Sequence, residues 1–304
     1  MNSTINKEQN RKEYLRYRYV SRLLYSKEKK IRSILILGGI IIYALDFIPK
    51  VSKLPIVLLA PIIWMIISEF TKRKLSSIHK KAVDYHEYND RVMFGLSQIT
   101  SLIDNNSSLY QEAISITSDE KYKDDFEEML KNESMKSIKN WYNDFKGIPV
   151  DISIIMSQDE NVNWEKNQRK KYKSILIALL LIISLSTSVS IYIITKNIFT
   201  ILFATPIILD IFGLFLDNNE SISKCDEIIE KIGEVYTYIK DKGSNYESRY
   251  IREKSIEIQL KIYENRKDSI PVPDRVYYIY RNKLQEKSNI YIKSLKSDIK
   301  RYIK

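Results

Sequence analysis

The chain has 304 residues and a formal net charge of +11, from 49 Lys and Arg against 38 Asp and Glu. It holds only 7 Gly and 7 Pro, which argues against a loop-rich β architecture and favours long helices. Its one cysteine, Cys225, excludes an intrachain disulfide. The mean hydropathy of −0.29 averages very apolar and very basic blocks, so the blocks are more informative than the mean.

The first 32 residues are predicted to form a basic cytosolic arm, and they contain no apolar core of the kind that a secretory signal needs. Two apolar segments follow, 33–48 and 54–68, joined by PKVSK. Each is shorter than the roughly 20 residues that cross a hydrocarbon core. We predict that residues 33–71 form a transmembrane hairpin; a re-entrant hairpin, or one that locally thins the bilayer, is the alternative.

Residues 72–173 are predicted to be a mainly helical cytosolic middle domain. The stretch 75–100 has a helical pattern, whereas 147–156, GIPVDISIIM, is expected to be extended. His79 and His86 lie seven residues apart, and a metal-binding pair on one helix would be three or four apart. We therefore expect both histidines to be ordinary surface residues.

Residues 174–216 are predicted to form a second transmembrane hairpin. Segment 174–195 carries no charge and is long enough to span a bilayer, and segment 198–216 returns after Lys196 and Asn197. Asp210 is an ionisable residue inside the return helix, so it should face protein or water. It either bonds a hydroxyl group of the preceding helix or lines a conducting path, and Ser186 and Ser190 are likewise either packing or pore-lining residues.

Residues 217–304 are predicted to be a cytosolic, helical C-terminal region. Apolar residues recur in it at alternating spacings of three and four, as in a coiled-coil seam: Ile222, Cys225, Ile229, Ile232, Tyr236 and Ile239. This seam packs either on other helices of the same chain or on a second copy.

Basic residues near the apolar segments indicate the orientation. Three lie in the hairpin turns, namely Lys50, Lys53 and Lys196, and eleven flank the hairpins on the other side: Lys27, Lys29, Lys30, Arg32, Lys72, Arg73, Lys74, Arg169, Lys170, Lys171 and Lys173. Because basic flanks stay in the cytoplasm, both termini and the middle domain of this multi-pass chain are expected there.

The sequence shows no glycine-rich phosphate loop, metal-ligand spacing or nucleophile elbow, so we do not expect an enzyme. The stretch RKEYLRYRYVSRLLYSKEKK, 11–30, has the basic and aromatic composition of a nucleic-acid surface. Next to a membrane, however, the same composition attracts anionic headgroups. We therefore expect residues 11–32 to anchor the chain on the lipid bilayer, and we expect no direct contact with nucleic acid.

Several stretches follow one another in an order typical of a known family. INKEQN (5–10) and VSRLLYSKEK (20–29) lie near the N-terminus, and WYNDFKGIP (141–149) precedes SQDENVNWEKNQRKKY (157–172). IQLKIYENRKDSIPVPDRVYYIYRNKLQE (258–286) lies near the C-terminus. Over essentially its whole length the chain resembles the SMODS-associated four-transmembrane effectors. It departs from their pattern at Ser157, where the family often has Cys, at Asp159, where it has Arg, and at Glu165, where it has Asp.

The resemblance implies an all-α membrane effector of anti-phage defence of the CBASS type, located in the bacterial inner membrane. A partner nucleotidyltransferase makes a cyclic oligonucleotide, and the effector, as a homo-oligomer, then permeabilises the membrane and causes abortive infection. The alternative is a non-conducting membrane scaffold or receptor that recruits a cytosolic partner.

Candidate residues for these roles follow from the matching motifs. Arg266, Arg281 and Gln259 are predicted to bind the cyclic oligonucleotide, although Arg266 and Arg281 equally fit ion pairs with Asp274 or Glu286. The residues predicted to couple ligand binding to the third membrane helix are Gln158, Asn161, Trp164 and Arg169. For Trp164 and Arg169 the alternative is a place among the lipid headgroups.

Overall fold

The structure, a computed structural model, describes residues 4–48, 57–96, 106–131, 138–194 and 198–304. These residues form helices and short connections, without a strand, so the prediction of an all-α chain is confirmed for the described part. The turns predicted at 49–53 and at Lys196 lie outside it. The helices are α1 (Thr4–Glu8), α2 (Lys12–Leu45), α3 (Ala60–Met93), α4 (Asn106–Ser118), α5 (Glu120–Met129), α6 (Val150–Val189), α7 (Thr200–Lys242), α8 (Ser248–Asp268) and α9 (Asp274–Tyr302).

The expectation of an extended segment at 147–156 is wrong, because α6 begins inside it. Pro149 is the N-cap residue of α6, and the helix continues through the β-branched residues that follow. Ile152, Ile154 and Ile155 are buried in the main core. Packing of these side chains therefore outweighs their preference for a strand.

Two of the helices are long and apolar enough to cross a membrane: α6 with its π turn, Val150–Ile194, and α7 with the short turn after it, Thr200–Asn245. Their apolar parts coincide with the predicted segments 174–195 and 198–216. Many of these side chains are exposed in the isolated chain, for example Leu181 and Leu185, which are 66% and 69% exposed. Such a surface is stable only against lipid or other apolar groups.

The apolar parts of α2 and α3 pack beside these two helices. The Tyr43 hydroxyl group on α2 hydrogen-bonds with Ser186 Oγ at 2.8 Å and with Thr187 Oγ1 at 3.1 Å. Ser190 Oγ donates to Asp46 Oδ2 at 3.0 Å. We call this part of the four long helices (33–48, 57–71, 174–194 and 198–216) the apolar end, and the rest of the molecule the polar end.

Two cores hold the polar end together. The larger joins α6, α7 and α8, and its buried residues on α7 are Cys225, Ile228, Ile232, Val235 and Ile239. The seam predicted on α7 therefore packs within the chain, with Ile229 and Tyr236 at its edge. The smaller core joins α2, α3, α4 and α5 around Tyr19, Tyr85 and Phe126. Because each long helix contributes to both ends, the two ends share one continuous scaffold.

At the apolar end, α2 approaches α3 closely at Gly38. A Cβ atom added there would lie 1.9 Å from the ring of Trp64, well inside van der Waals distance. At the neighbouring Gly39, an added Cβ atom would lie 3.4 Å from Ile207 on α7, an ordinary contact. Glycine is therefore required at Gly38 for the Trp64 ring to pack against α2.

We expect Gly38→Ala to destabilise the protein by about 1–3 kcal/mol, because the Trp64 ring must leave its site. Thermal unfolding of the purified protein in detergent measures the change. Gly39→Ala is the matched control on the same helix and should leave the unfolding temperature nearly unchanged. Equal unfolding temperatures for the two variants would contradict this packing.

Candidate functional site

Within the polar end, the inner face of α2 carries a regular stripe of polar and aromatic residues. Arg18, Arg22, Tyr25 and Lys29 recur at spacings of four, three and four, so they lie on one side of the helix. They line a cavity of about 260 Å³. Helix α3 contributes His79 and His86 to the lining, and α6 contributes Asn161, Trp164, Glu165 and Arg169. Trp141 comes from the chain before α6, Arg266 from α8, and Tyr277 and Tyr278 from α9. We call this space the Arg18 cavity.

Arg18 is a buried cation, 8% exposed, that forms no ion pair with a carboxylate in the described part of the chain. Its guanidinium group lies over the Trp141 ring, 4.6 Å from the ring centre, and its Nη1 donates to the carbonyl oxygen of Ile138 at 3.3 Å. Its Nη2 atom is buried and has no hydrogen-bond partner among the described residues. Burial lowers the pKa of Arg18 from its usual value, yet an arginine stays protonated at neutral pH.

Arg266 lies in the same cavity but is paired. Its Nη1 atom is 2.8 Å from Asp90 Oδ2 and 3.5 Å from Glu87 Oε2, whereas its Nη2 atom is buried without a partner among the described residues. Burial opposes the charge of Arg266, but Asp90 and Glu87 outweigh burial and raise its pKa. Burial, followed by the charge of Arg266, lowers the pKa of His86 to about 3, so His86 is neutral.

The two carboxylates of this buried cluster, Glu87 and Asp90, pair with guanidinium groups other than that of Arg18. Glu87 is shared between Arg266 and Arg91, whose Nε donates to Glu87 Oε1 at 2.7 Å. Asp90 pairs with Arg266. Burial acts to raise the pKa of Asp90, but nearby positive charges, first that of Arg266 and also that of Arg18, outweigh burial and lower it. In the described part of the chain, neither carboxylate forms an ion pair with Arg18. Because an uncompensated buried charge is costly, the cavity favours an anionic group.

Aromatic rings form one wall of the Arg18 cavity. The centres of the Trp141 and Trp164 rings are 6.5 Å apart, those of Trp164 and Tyr277 are 6.4 Å apart, and those of Tyr277 and Tyr278 are 5.3 Å apart. A wall of this kind offers stacking surfaces to a planar group. The site therefore combines an electrostatic demand for an anion with a surface for a flat, apolar ring.

The structure brings some of the predicted ligand residues to this site and places one elsewhere. Arg266 lines the cavity, and its carboxylate partners are Asp90 and Glu87 instead of Asp274 or Glu286. Arg281 lies 5.7 Å from the centre of the Tyr277 ring and lines a smaller, adjoining cavity of about 50 Å³.

Gln259 lies away from the Arg18 cavity and is fully buried. It accepts a hydrogen bond from Gln158 Nε2 at 3.0 Å and donates to Glu87 Oε2 at 2.8 Å. Gln158, predicted as a coupling residue, also donates to the carbonyl oxygen of Ser255 at 2.8 Å. These two side chains join α6 and α8 and orient the carboxylate that Arg266 and Arg91 share.

Asn161, Trp164 and Arg169 all line the Arg18 cavity. Arg169 is buried, so the alternative that placed it among lipid headgroups is wrong. It holds the connection between α8 and α9: Nη2 donates to Ser269 Oγ at 2.7 Å and Nη1 to the carbonyl oxygen of Ile270 at 3.3 Å. We call residues 269–273 the linker.

The residues predicted to line a pore or pack between helices make packing contacts. Ser186 and Ser190 hydrogen-bond with Tyr43 and Asp46 of α2. Asp210 forms an ion pair with Lys72 of α3, so the expectation that it bonds a hydroxyl group of the preceding helix is wrong. The hydroxyl groups of Ser186, Thr187 and Ser190 contact Tyr43 and Asp46 instead.

Sequence reasoning missed Arg18, Tyr25 and His79. His79 is 8% exposed, and its two ring nitrogens lie 2.9 Å from Glu28 Oε2 and 2.9 Å from the carbonyl oxygen of Arg266, so its expected surface position is wrong. Headgroup anchoring is wrong for Arg18, which lies 15 residues, or about 22 Å of helix, before the first apolar segment. The repeat of residues 18, 22, 25 and 29 on one helical face was the available signal.

Glu160, beside the Arg18 cavity, links stability to pH. Burial raises its pKa to about 7, although Asn143 and Ser288 donate hydrogen bonds to it. The folded protein therefore keeps a proton that an unfolded glutamate loses near its usual pKa of 4.5. This contribution to stability is fully present below pH 4.5 and is lost as the pH rises through about 7.

The unfolding free energy of the parent should fall as the pH rises from 5 to 8. In Glu160→Gln this fall should be smaller by about 2 kcal/mol, because the amide has no charge to bury. Unfolding temperatures in detergent across this range measure the difference. Glu127→Gln, at an exposed carboxylate that pairs with Lys12, is the control and should follow the parent. Parallel curves for Glu160→Gln and the parent would contradict the assignment.

Comparison with known proteins agrees with the motifs found in the sequence. The family model of the SMODS-associating 4TM effector domain matches residues 3–295. No curated protein matches the chain, and no solved structure matches it either. The family and the two apolar helices together indicate a membrane protein with a role as a defence effector. The chain belongs to the SMODS-associating 4TM effector domain family.

Proposed function

We propose that the protein is a membrane effector of bacterial anti-phage immunity that binds a cyclic oligonucleotide in the Arg18 cavity and then permeabilises the inner membrane, causing abortive infection. A partner nucleotidyltransferase supplies the ligand. The observation that carries the proposal is the buried guanidinium of Arg18, which forms no ion pair with a described residue and lies beside an aromatic wall, on helices that continue into an apolar end. The family is not a known family of enzymes, and the proposed activity requires no catalysis.

The ligand fits the chemistry of the cavity. A phosphate group accepts hydrogen bonds from Arg18 Nη2 and Arg266 Nη2, and charge-assisted bonds of this kind are among the strongest. A base stacks on Trp164, next to Trp141 and Tyr277. The volume of about 260 Å³ is near the lower limit of ligand pockets, which start at roughly 300 Å³, so about one nucleotide unit enters each cavity.

All four long helices cross the membrane in this proposal, as two hairpins with both termini in the cytoplasm. The apolar parts of α2 and α3 support it, because their outward side chains are as exposed as those of α6 and α7: Ile34, Leu37, Ile41, Ile62, Ile63, Ile66 and Phe70 are all between 46% and 63% exposed. These rows lie beside the membrane-length helices, where lipid would cover them.

A conducting path then lies between copies of the chain. The interior of the apolar end is filled by its own side chains, including Leu176, Ile207 and Ile211, which are at most 2% exposed. A bundle filled in this way leaves no path for ions through one copy. Membrane permeabilisation therefore requires a homo-oligomer, in which helices from several copies surround the path.

The linker is the part of the polar end that couples the ligand to the apolar end. Ser269, Pro271 and Val272 line the Arg18 cavity, whereas Ile270 lines a second cavity next to Asp210. Arg169 holds the linker to α6, and the Ile270 amide donates to Asp217 Oδ2 on α7 at 2.8 Å. A ligand that displaces the linker thus acts on both membrane-length helices. Trp164, predicted for this role, lies in the wall of the cavity and contributes to binding.

Arg18→Gln should weaken binding of the cyclic oligonucleotide at least about tenfold, because a charge-assisted hydrogen bond is lost. It should also raise the unfolding temperature of the ligand-free protein, since it removes a buried charge that has no ion-pair partner among the described residues. Isothermal titration with a panel of cyclic oligonucleotides and dye leakage from liposomes measure the first effect, and thermal unfolding measures the second.

Arg11→Gln is the control for Arg18→Gln, because Arg11 is exposed and pairs only locally, with Glu8. This variant should bind the cyclic oligonucleotide and cause dye leakage from liposomes as the parent does. Unchanged affinity in Arg18→Gln would contradict the site. Ligand binding without leakage in the parent protein would favour the alternative of a non-conducting scaffold or receptor.

Asp217→Ala should retain ligand binding and lose dye leakage, because the linker is released from α7 while the cavity keeps its lining residues. A ligand shifts a conformational equilibrium only through contacts that differ between the two states. Asp226→Ala is the control, since it breaks an exposed ion pair with Lys166 on the same pair of helices. Normal leakage in Asp217→Ala would show that coupling follows another route.

A further inference from the structure

A second cavity, of about 210 Å³, lies where the polar end meets the apolar end. Arg32, which pairs with Glu28 at 2.8 Å, and Lys72, which pairs with Asp210, are its basic residues. Its apolar lining comes from Leu35, Ile36, Leu214 and Ile270. It is separated from the Arg18 cavity by the linker. We call it the Asp210 cavity.

Only one oxygen of the Asp210 carboxylate has a partner in the described part of the chain. Lys72 Nζ bonds Oδ1, whereas Oδ2 is buried and accepts no hydrogen bond from a described residue. Asp210 is 9% exposed, so water reaches it poorly. A buried carboxylate oxygen without a donor costs free energy, and a ligand that brings an N–H group removes the cost.

The level of this cavity along the helices corresponds to a membrane surface. Asp210 precedes Asp217, where the apolar run of α7 ends, by seven residues, or about 10 Å of helix. The apolar segment of α2 begins at Ser33, directly after Arg32, and that of α3 ends at Ser68, directly before Glu69 and four residues before Lys72. The charged residues that end the shorter hairpin therefore lie about two helical turns nearer the apolar end than the charged residues that end the longer hairpin.

A bilayer adapts to such a mismatch by thinning next to the short hairpin, which brings its headgroups down to the charged residues. Two contacts keep the hairpins aligned: Ser190 bonds Asp46 near the far ends of the apolar helices, and Gly39 lies against Ile207 about one turn from the cavity. The hairpins therefore differ in length at the cytoplasmic side. This argument rests on the four-helix arrangement given in the proposed function.

We propose that the Asp210 cavity binds the headgroup of an ethanolamine phospholipid of the inner leaflet. The ammonium group donates to Asp210 Oδ2, the phosphate lies near Arg32 and Lys72, and the acyl chains leave along Leu35 and Ile36. An ethanolamine headgroup carries both an N–H donor for the carboxylate and an anionic group for the two basic side chains. A choline headgroup has the same charges but no N–H donor, so it cannot satisfy Asp210 Oδ2.

The test is thermal unfolding of the full chain in detergent with short-chain phospholipids that differ only in methylation of the headgroup nitrogen. Phosphatidylethanolamine should raise the unfolding temperature by about 3 °C or more relative to phosphatidylcholine, since a ligand stabilises the state that it binds. The N,N-dimethyl form, with one N–H group, should lie between them. This series needs no variant protein.

Asp210→Asn should abolish the preference for phosphatidylethanolamine, and Asp226→Asn, at an exposed carboxylate of the same helix, should retain it. Equal stabilisation along the methylation series would overturn the proposal, as would a preference that persists in Asp210→Asn. Stronger stabilisation by phosphatidylglycerol would also overturn it, because the phosphate alone would then be recognised. The measurement involves no nucleotide and no leakage, so its failure leaves the proposed function intact.

Discussion

The buried charge of Arg18, which has no ion-pair partner among the described residues, is the constraint around which the polar end is built. A buried ion without a counter-ion costs several kcal/mol. The Trp141 ring and the Ile138 carbonyl offset part of this cost, and the carboxylate of Asp90 pairs with Arg266. In the proposed function an anionic ligand supplies the opposite charge. Under that proposal, ligand binding and stability are linked through this one guanidinium group.

The helices that join the cavity to the apolar end are unbroken. Helix α2 carries Arg18 and continues to Leu45, and α6 carries Trp164 and continues to Val189. In the proposed function, these helices transmit a displacement at the cavity to the apolar end. The linker adds the remaining connection. Pro271 and Pro273 restrict its backbone, so it moves as a unit.

Sequence patterns predicted the helices well and the partners of charged residues poorly. The apolar runs gave the helix positions because burial in lipid demands long apolar segments, and the seam on α7 gave a core face. Arg18 was predicted to be a headgroup anchor, since a basic stripe on a membrane surface has the same composition as one inside a ligand cavity. Only the tertiary structure brings Trp141 and Arg266 next to Arg18. The partner of Asp210 was missed because Lys72 lies 138 residues away.

Asp159 shows how a carboxylate can be buried without a cation. It accepts hydrogen bonds from Tyr236 Oη at 3.1 Å and Tyr291 Oη at 2.7 Å. Burial raises its pKa, and no cation pairs with it in the described part of the chain. Neutral donors from α7 and α9 hold this side chain on α6. A buried carboxylate that only neutral groups contact has no guanidinium to share with a ligand, so this position serves the junction of three helices.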